Sequence, residues 1–211
     1  MIQSENEFNK LFIKARLDLD IIELKQSCLV LNEHLIKNDL YPKESQITAI
    51  TNIETIERSS SYNLFMFPLP GFHRLYRLVR KFFNSRHPTT ASSANFYIHA
   101  WLNVTNKGES IGWHAHNRST REAGFVGVFY VDNTEQFGTH HRYLNQDGET
   151  LYTNDIHPGN GYLSMYREIP GVQHRTFPVT TETPRITIAM FIVPENKIIE
   201  PFRFNNYWLP L

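Results

Sequence analysis

The spacing of apolar residues changes character near residue 90 of the chain. Between residues 70 and 86, six apolar side chains recur at steps of three and four positions: Phe72, Leu75, Tyr76, Val79, Phe82 and Phe83. That spacing places them on one face of a helix, and the basic residues between them are expected to form its solvated face. Residues 20–37 predict another helix, and residues 45–57 predict a strand.

After residue 93, short runs of β-branched and aromatic residues alternate with turn residues. The runs predict strands near residues 95–105, 111–117, 124–132, 138–143, 160–167, 172–179 and 184–194. Seven strands without helices between them favour a mainly β, antiparallel sandwich or barrel of the jelly-roll kind. The preceding helices are expected to pack on one of its sheets. Residues 132–160, rich in Asn, Asp, Gly and Thr, are expected to form a loop over a pocket mouth.

Composition narrows the class of protein. The 211 residues include 21 Lys and Arg against 21 Asp and Glu, and this zero net charge argues against a nucleic-acid partner or an anionic membrane. A hydrophobic share of 41% is typical of a globular protein and too high for a disordered one. The single cysteine, Cys28, cannot form an internal disulfide, and no apolar run is long enough for a membrane helix. Together with a start that lacks a signal-peptide pattern, these features predict a cytoplasmic protein.

The sequence carries no internal repeat, and all-β units of this length are common as one domain. We therefore expect a single domain over residues 1–211. Residues 1–90 would form a helical or mixed part that packs on the core, residues 91–196 the jelly-roll core, and residues 197–211 a C-terminal tail.

Three of the ten histidines are placed to meet at one point. His114 and His116 are two positions apart, so their side chains project from the same face of an extended strand. His174 follows a later strand and a Pro-Gly turn. Neutral imidazoles are common ligands of iron, zinc, copper and nickel, and three of them would complete a metal site. The alternative is that the His114–His116 pair lies on a solvent-facing edge.

Arg185 is the first residue of the last predicted strand. Alternation places Thr187 and Ala189 on the same face of that strand, so the arginine side chain can reach into a cavity. A guanidinium can hold a carboxylate through two hydrogen bonds. The alternative is a surface ion pair, which would contribute little to stability.

Three further histidines and the cysteine are expected to have no part in such a site. His140 and His141 are adjacent, so a strand would point them to opposite faces and they cannot both bind one metal. With His157, which precedes a Pro-Gly turn, they are expected to be surface or loop residues. Cys28, in a helix-like segment, is expected to be structural.

The ordered set of motifs resembles the Fe(II)/2-oxoglutarate-dependent oxygenases, in particular a bacterial and phage branch with a His-x-His motif. Over residues 95–194, the matching segments are Trp101-Leu102-Asn103, His114-Ala115-His116, Gly127-Val128-Phe129-Tyr130, Gly161-Tyr162-Leu163, His174 and Arg185. The common pattern in that superfamily is His-x-Asp or His-x-Glu, and here His116 stands at the carboxylate position. The resemblance implies a double-stranded β-helix core, jelly-roll or cupin-like, with flanking N-terminal helices.

The resemblance also implies a cofactor and a role for each site residue. Fe(II) would bind His114, His116 and His174, and 2-oxoglutarate and O2 would take the open positions. Arg185 would hold the distal carboxylate of 2-oxoglutarate. Three further polar residues are implied near this co-substrate: Tyr130, Thr187 and Asn103. The implied activity is that of a dioxygenase, a hydroxylase that couples decarboxylation of 2-oxoglutarate to succinate with oxidation of a C–H bond.

Alternation along the first core strand places Tyr97, His99, Trp101 and Asn103 on one face. We expect this unusually polar face to line the cavity for a small-molecule or peptidyl substrate. The alternative is that it is the solvent-facing side of an edge strand.

Two other functions are compatible with the same residues. A three-histidine, cupin-like metalloenzyme that does not use 2-oxoglutarate would need the histidines without Arg185. A β-sandwich binding protein without catalytic activity would need neither. Arg185 favours the oxygenase interpretation, because cupins that act on other substrates do not require it.

Overall fold

The computed structural model describes residues 2–38, 62–87, 95–115, 124–133, 138–195 and 208–211. Strands dominate these ranges, so the prediction of a mainly β protein is confirmed. In chain order the strands are β1 Phe12–Arg16, β2 Phe96–Thr105, β3 Phe125–Asp132, β4 Thr139–Leu144, β5 Thr150–Ile156, β6 Tyr162–Arg167, β7 Val172–Thr176, β8 Arg185–Pro194 and β9 Leu209–Pro210.

The strands form two antiparallel sheets that enclose the candidate site. The large sheet has the order β1-β6-β3-β8-β2-β9, and the small sheet has the order β5-β4-β7. The predicted Pro-Gly turn before β7 is present, and Gly171 in it has a φ of +88°, a conformation that favours glycine. Of the predicted C-terminal tail, β9 pairs with β2.

A short extended segment, residues 111–114, continues the small sheet beyond β7. The amides of His114 and His174 donate to each other's carbonyl oxygens at 3.0 and 2.9 Å, and the Thr176 amide donates to the Ile111 carbonyl at 2.9 Å. The predicted strand at 111–117 is therefore reduced to isolated pairing in its first half. Residues 116 and 117 lie outside the described residues.

Three α-helices lie among the described residues: α1 Glu5–Lys10, α2 Ile21–Lys37 and α3 Phe72–Arg86. A three-residue 3-10 helix, Leu64–Met66, precedes α3. The Asp20 side chain begins α2 by accepting hydrogen bonds from the amides of Ile22 and Glu23. Both predicted helices are confirmed, whereas the strand predicted at 45–57 lies outside the described residues. None of the helices in these ranges is long and apolar enough to cross a membrane.

Helices α2 and α3 cover the outer face of the large sheet, as predicted, whereas Phe8 of α1 packs against Tyr143 and Tyr152 of the small sheet. The apolar stripe of α3 is buried there: Phe72, Leu75, Val79 and Phe83. The Phe83 ring lies 5.1 Å from the Phe96 ring and 5.2 Å from the Phe125 ring. Cys28 is buried in α2 against the same apolar cluster, and burial raises the pKa of its thiol to about 12. This packing accounts for most of the apolar core.

The prediction of a loop in residues 132–160 is wrong for residues 150–156, whereas the strand predicted at 138–143 is confirmed as β4. Residues 150–156 form β5, which pairs with β4 along its whole length. The sequence gives no clear strand pattern here because β5 lies at the edge of the small sheet. Apart from Ile156, its residues are exposed or only half-buried, so buried apolar residues do not alternate with polar ones. Strand β1 was also missed, because it is short and follows directly on α1.

Replacement of Phe83 by alanine tests the packing of α3. Loss of a fully buried phenyl ring costs about 3–5 kcal/mol, so Phe83→Ala should lower the free energy of unfolding, measured in urea, by that amount. Arg80→Ala on the exposed face of the same helix is the control, with an expected change below about 0.5 kcal/mol. Equal, small changes in the two variants would contradict the packing of α3 on the sheet.

Candidate functional site

One cavity between the two sheets collects most of the predicted site residues. Its described lining comes from both sheets and from the segment 111–114. The polar lining residues are Asn103, His114, Tyr130, Thr139, His174, Thr176, Arg185 and Thr187. The others are Trp101, Ile111, Val126, Val128, Gly138 and Ala189.

Three histidines form a row across the inner face of the small sheet. His174 on β7 is paired with His114 on one side and with His141 of β4 on the other. The His114 and His174 ring centroids are 4.2 Å apart, and those of His174 and His141 are 5.6 Å apart. All three side chains are buried. Strand register thus brings His114 and His174 together at the cavity wall, although they are far apart in the sequence.

Hydrogen bonds orient two of these rings. Nδ1 of His114 lies 2.8 Å from the Gly112 carbonyl oxygen, and Nδ1 of His174 lies 3.0 Å from the Tyr166 hydroxyl oxygen. A carbonyl only accepts, so Nδ1 of His114 carries the proton and Nε2 has the lone pair that a metal requires. Burial lowers the pKa of His114, and the Gly112 hydrogen bond only partly opposes this. The neutral, ligating form is therefore favoured.

The third predicted ligand, His116, lies outside the described residues, so its role stays a prediction. Among the ranges that the structure describes, no group of three His, Cys, Asp or Glu side chains is arranged to hold a metal ion. A metal at His114 and His174 would need its third protein ligand from another part of the chain, which is consistent with His116.

Arg185 begins β8 and lines the cavity, with only 2% of its surface exposed. Its guanidinium donates a long hydrogen bond, 3.5 Å, from Nη1 to the Phe177 carbonyl oxygen. The described residues that line the cavity carry this cation and no carboxylate. This part of the cavity is therefore suited to an anionic group.

A second polar row lies on the large sheet. Thr187 on β8 is the register partner of Asn103 on β2 and of Tyr130 on β3. The Tyr130 hydroxyl is 2.6 Å from the Thr139 hydroxyl. Burial raises the pKa of Tyr130 to about 12, although the Thr139 hydrogen bond and the charge of Arg185 oppose the shift. The phenol is therefore a neutral hydrogen-bonding group beside the arginine.

The predicted substrate-binding face of β2 only partly reaches the cavity. Trp101 lines it, whereas Tyr97 and His99 are not among the described lining residues. The His99 ring is buried between Trp101, at 6.1 Å, and Trp208, at 5.4 Å. The Tyr97 hydroxyl donates to the Glu195 carboxylate at 3.4 Å. Of the three predicted residues, the structure places Trp101 against the cavity.

The prediction that His141 is a surface or loop residue is wrong. Its ring is 3% exposed and lies 4.5 Å from the Phe12 ring, because β4 is the central strand of the small sheet and β1 covers its inner face. His140 points to the opposite face, as alternation predicted, and bonds to Asp155. His157 is exposed outside the strands. Thr139 was not predicted to line the cavity, although alternation along β4 places it on the same face as His141.

Comparisons with known proteins establish a likeness of fold. No protein-family model matches the chain, and no curated protein is significantly similar to it. A prolyl hydroxylase from Trichoplax adhaerens, solved with a hypoxia inducible factor peptide, has a TM-score of 0.60 at 13% identity, over 91% of this chain and 88% of that one. The non-heme alpha-ketoglutarate-dependent carbocyclase SnoK from nogalamycin biosynthesis has a TM-score of 0.58 at 7% identity, over 91% and 83%.

A 2OG-Fe(II) oxygenase family protein from Burkholderia pseudomallei is similar over 60% of this chain, with 18% identity and a TM-score of 0.46. The matched part of this chain spans 59% of that protein's length. The two-sheet architecture and the first two comparisons identify the core as a double-stranded β-helix, as predicted.

His141 should make the stability of the metal-free protein depend on pH. Burial holds its folded-state pKa at about 3, below the ordinary value of 6.5, so only the unfolded chain takes up a proton between these values. The contribution of His141 to the free energy of unfolding is therefore fully present above pH 6.5. It decreases as the pH falls toward 3, by up to about 1.4 kcal/mol per pH unit. Urea unfolding at several pH values should therefore give a shallower slope for His141→Leu than for the wild type.

The control for this measurement lies within the same two proteins. Above pH 6.5, where His141 is neutral in both folded and unfolded chains, the stability difference between wild type and His141→Leu should be constant. Equal slopes below pH 6.5 would contradict the burial of the imidazole.

Proposed function

We propose that this protein is an Fe(II)- and 2-oxoglutarate-dependent dioxygenase that hydroxylates a small-molecule or peptidyl substrate. The observation that carries the proposal is the convergence of His114, from the extended segment 111–114, His174, from β7, and Arg185, from β8, on one cavity of a double-stranded β-helix. The reaction joins a C–H substrate, 2-oxoglutarate and O2, and gives the hydroxylated product, succinate and CO2. One oxygen atom enters succinate and the other enters the new hydroxyl group.

The metal would be held by His114, His174 and His116. The buried imidazoles of the first two suit a divalent ion, and the hydrogen bond from Nδ1 of His114 to the Gly112 carbonyl would leave Nε2 as its ligating atom. Bound iron supplies the activation of O2 and of the keto acid, and the protein residues orient the reactants around it. Three neutral ligands leave the ion with its full charge of +2, which a dianionic co-substrate would neutralise.

The co-substrate would lie between the histidines and Arg185. The guanidinium would bind its distal carboxylate through charge-assisted hydrogen bonds. Three further polar residues lie near the arginine on the same sheet: Tyr130, Thr187 and Asn103. They would donate further hydrogen bonds to this carboxylate. Because Arg185 is nearly fully buried, little water competes for this carboxylate.

The substrate would enter beside Trp101, which lines the cavity from β2. Tyr97 and His99 precede Trp101 on the same face of that strand and are not among the described lining residues. His99, whose ring lies 6.1 Å from the Trp101 ring, would act on the substrate through the position of that indole. An indole wall suits an apolar or aromatic part of a small molecule or peptide.

Anaerobic optical titration tests the proposal. Metal-free protein receives Fe(II) and then 2-oxoglutarate, and the chelated keto acid should give a weak visible charge-transfer band. His174→Ala should abolish the band, because a metal ligand is lost. Arg185→Met should weaken 2-oxoglutarate binding by about 10- to 100-fold, the effect of losing hydrogen bonds to a charged group. Arg77→Met, on the exposed face of α3, is the matched control and should bind like the wild type.

Two results would overturn the proposal. If Fe(II) binds but no band forms with 2-oxoglutarate, and Arg185→Met behaves like the wild type, the protein is a three-histidine metalloenzyme of another kind. If added Fe(II), Mn(II) or Ni(II) neither binds nor raises the thermal midpoint, the protein is a β-sandwich without a metal centre.

A further inference from the structure

The two described histidines of the proposed metal centre differ in how their tautomers are controlled. Nδ1 of His114 faces the Gly112 carbonyl oxygen at 2.8 Å, and because a carbonyl is an obligate acceptor, this backbone group places the proton of that imidazole on Nδ1. Nδ1 of His174 faces the Tyr166 hydroxyl at 3.0 Å, a group that can donate or accept. The tautomer of His174 therefore depends on whether this hydroxyl, which is not among the described lining residues of the cavity, donates to Nδ1 or accepts from it.

The surroundings of Tyr166 hold its hydroxyl in place behind His174. Tyr166 lies on β6 of the large sheet, whereas His174 lies on β7 of the small sheet, so their hydrogen bond spans the two layers. The Tyr166 ring is 5% exposed and packs 5.3 Å from the Phe12 ring and 5.4 Å from the His141 ring. Because both neighbouring rings pack against the Tyr166 ring, its hydroxyl has little freedom to move away from Nδ1 of His174.

We propose that Tyr166 is a positioning residue that accepts a hydrogen bond from Nδ1–H of His174 and so keeps the Nε2 lone pair available for the metal. The backbone of His174 is already fixed by its pairing with His114, but that pairing leaves rotation of the imidazole and its protonated nitrogen undetermined. The opposite arrangement, with the phenol donating to Nδ1, would place the proton on Nε2 and block ligation. This inference rests on the proposed function in taking His174 as a ligand.

The tautomer can be measured without any metal. Protein labelled with nitrogen-15 at histidine, held metal-free at pH 8, should show His174 with a protonated Nδ1 in long-range proton–nitrogen NMR spectra. His174→Ala identifies the signal by its loss. Tyr166→Phe keeps the buried ring and removes only the hydroxyl, so the His174 signals should shift toward a mixture of the two tautomers. A wild-type His174 protonated at Nε2 would overturn the proposal, whether or not the variant folds.

Metal affinity gives the second readout. Tyr166→Phe should weaken Co(II) binding, followed by its visible spectrum, by about 10- to 100-fold, the usual effect of removing the partner of a ligating histidine. Tyr143→Phe is the matched control, because Tyr143 is a buried tyrosine of the same apolar cluster that packs against Phe8 and Tyr152. Its Co(II) affinity should equal that of the wild type, and the thermal midpoints of both metal-free variants show that they fold.

The outcomes separate the two proposals. If wild-type protein does not bind Co(II) while the tautomer spectra behave as expected, the metal centre fails and the Tyr166–His174 interaction stands as a structural contact only. If wild-type protein binds Co(II) and Tyr166→Phe binds within about twofold of it with an unchanged His174 tautomer, Tyr166 is not a positioning residue.

Discussion

The mutual backbone pairing of His114 and His174 is the constraint on which the candidate site depends. Each amide donates to the other's carbonyl, so both imidazoles must leave the same face of the small sheet. Pairing of His174 with His141 on β4 extends that register by one strand. Because side chains alternate along a strand, a slip of one residue would turn a histidine away from the cavity. Strand register therefore fixes the position of the proposed ligands more firmly than a loop could.

The two faces of the large sheet contribute differently to the molecule. On the outer face, helices α2 and α3 bury large apolar side chains, each worth about 1.5–3 kcal/mol when removed from water. On the inner face, Arg185, Asn103 and Thr187 are buried, and such groups cost free energy unless they are hydrogen-bonded. The outer face thus supplies the stability that allows the inner face to remain polar, which is what a binding cavity requires.

Strand alternation predicted the cavity residues on the large sheet because β8 is long and regular. Arg185 and Thr187 line the cavity together, as the pattern requires. Alternation also separated His140 from His141, but it could not tell which face of β4 would be covered. That depends on Phe12, from a strand near the start of the chain. The edge strand β5 was missed for a related reason, since only one of its seven residues is fully buried. Contacts between distant strands, not local pattern, decide such cases.

The proposed ligands and the proposed anion site belong to different sheets. His114 and His174 lie on the small sheet and its extension, whereas Arg185 begins a strand of the large one. Sheets packed face to face lie about 10 Å apart, so an acid bound to a metal at one sheet and to the guanidinium at the other must span the interior. A dicarboxylate such as 2-oxoglutarate has an acidic group for each end, and a short monocarboxylate has only one. Arg185 would therefore select the length of the co-substrate as well as its charge, and a bound dianion would join the two layers of the fold.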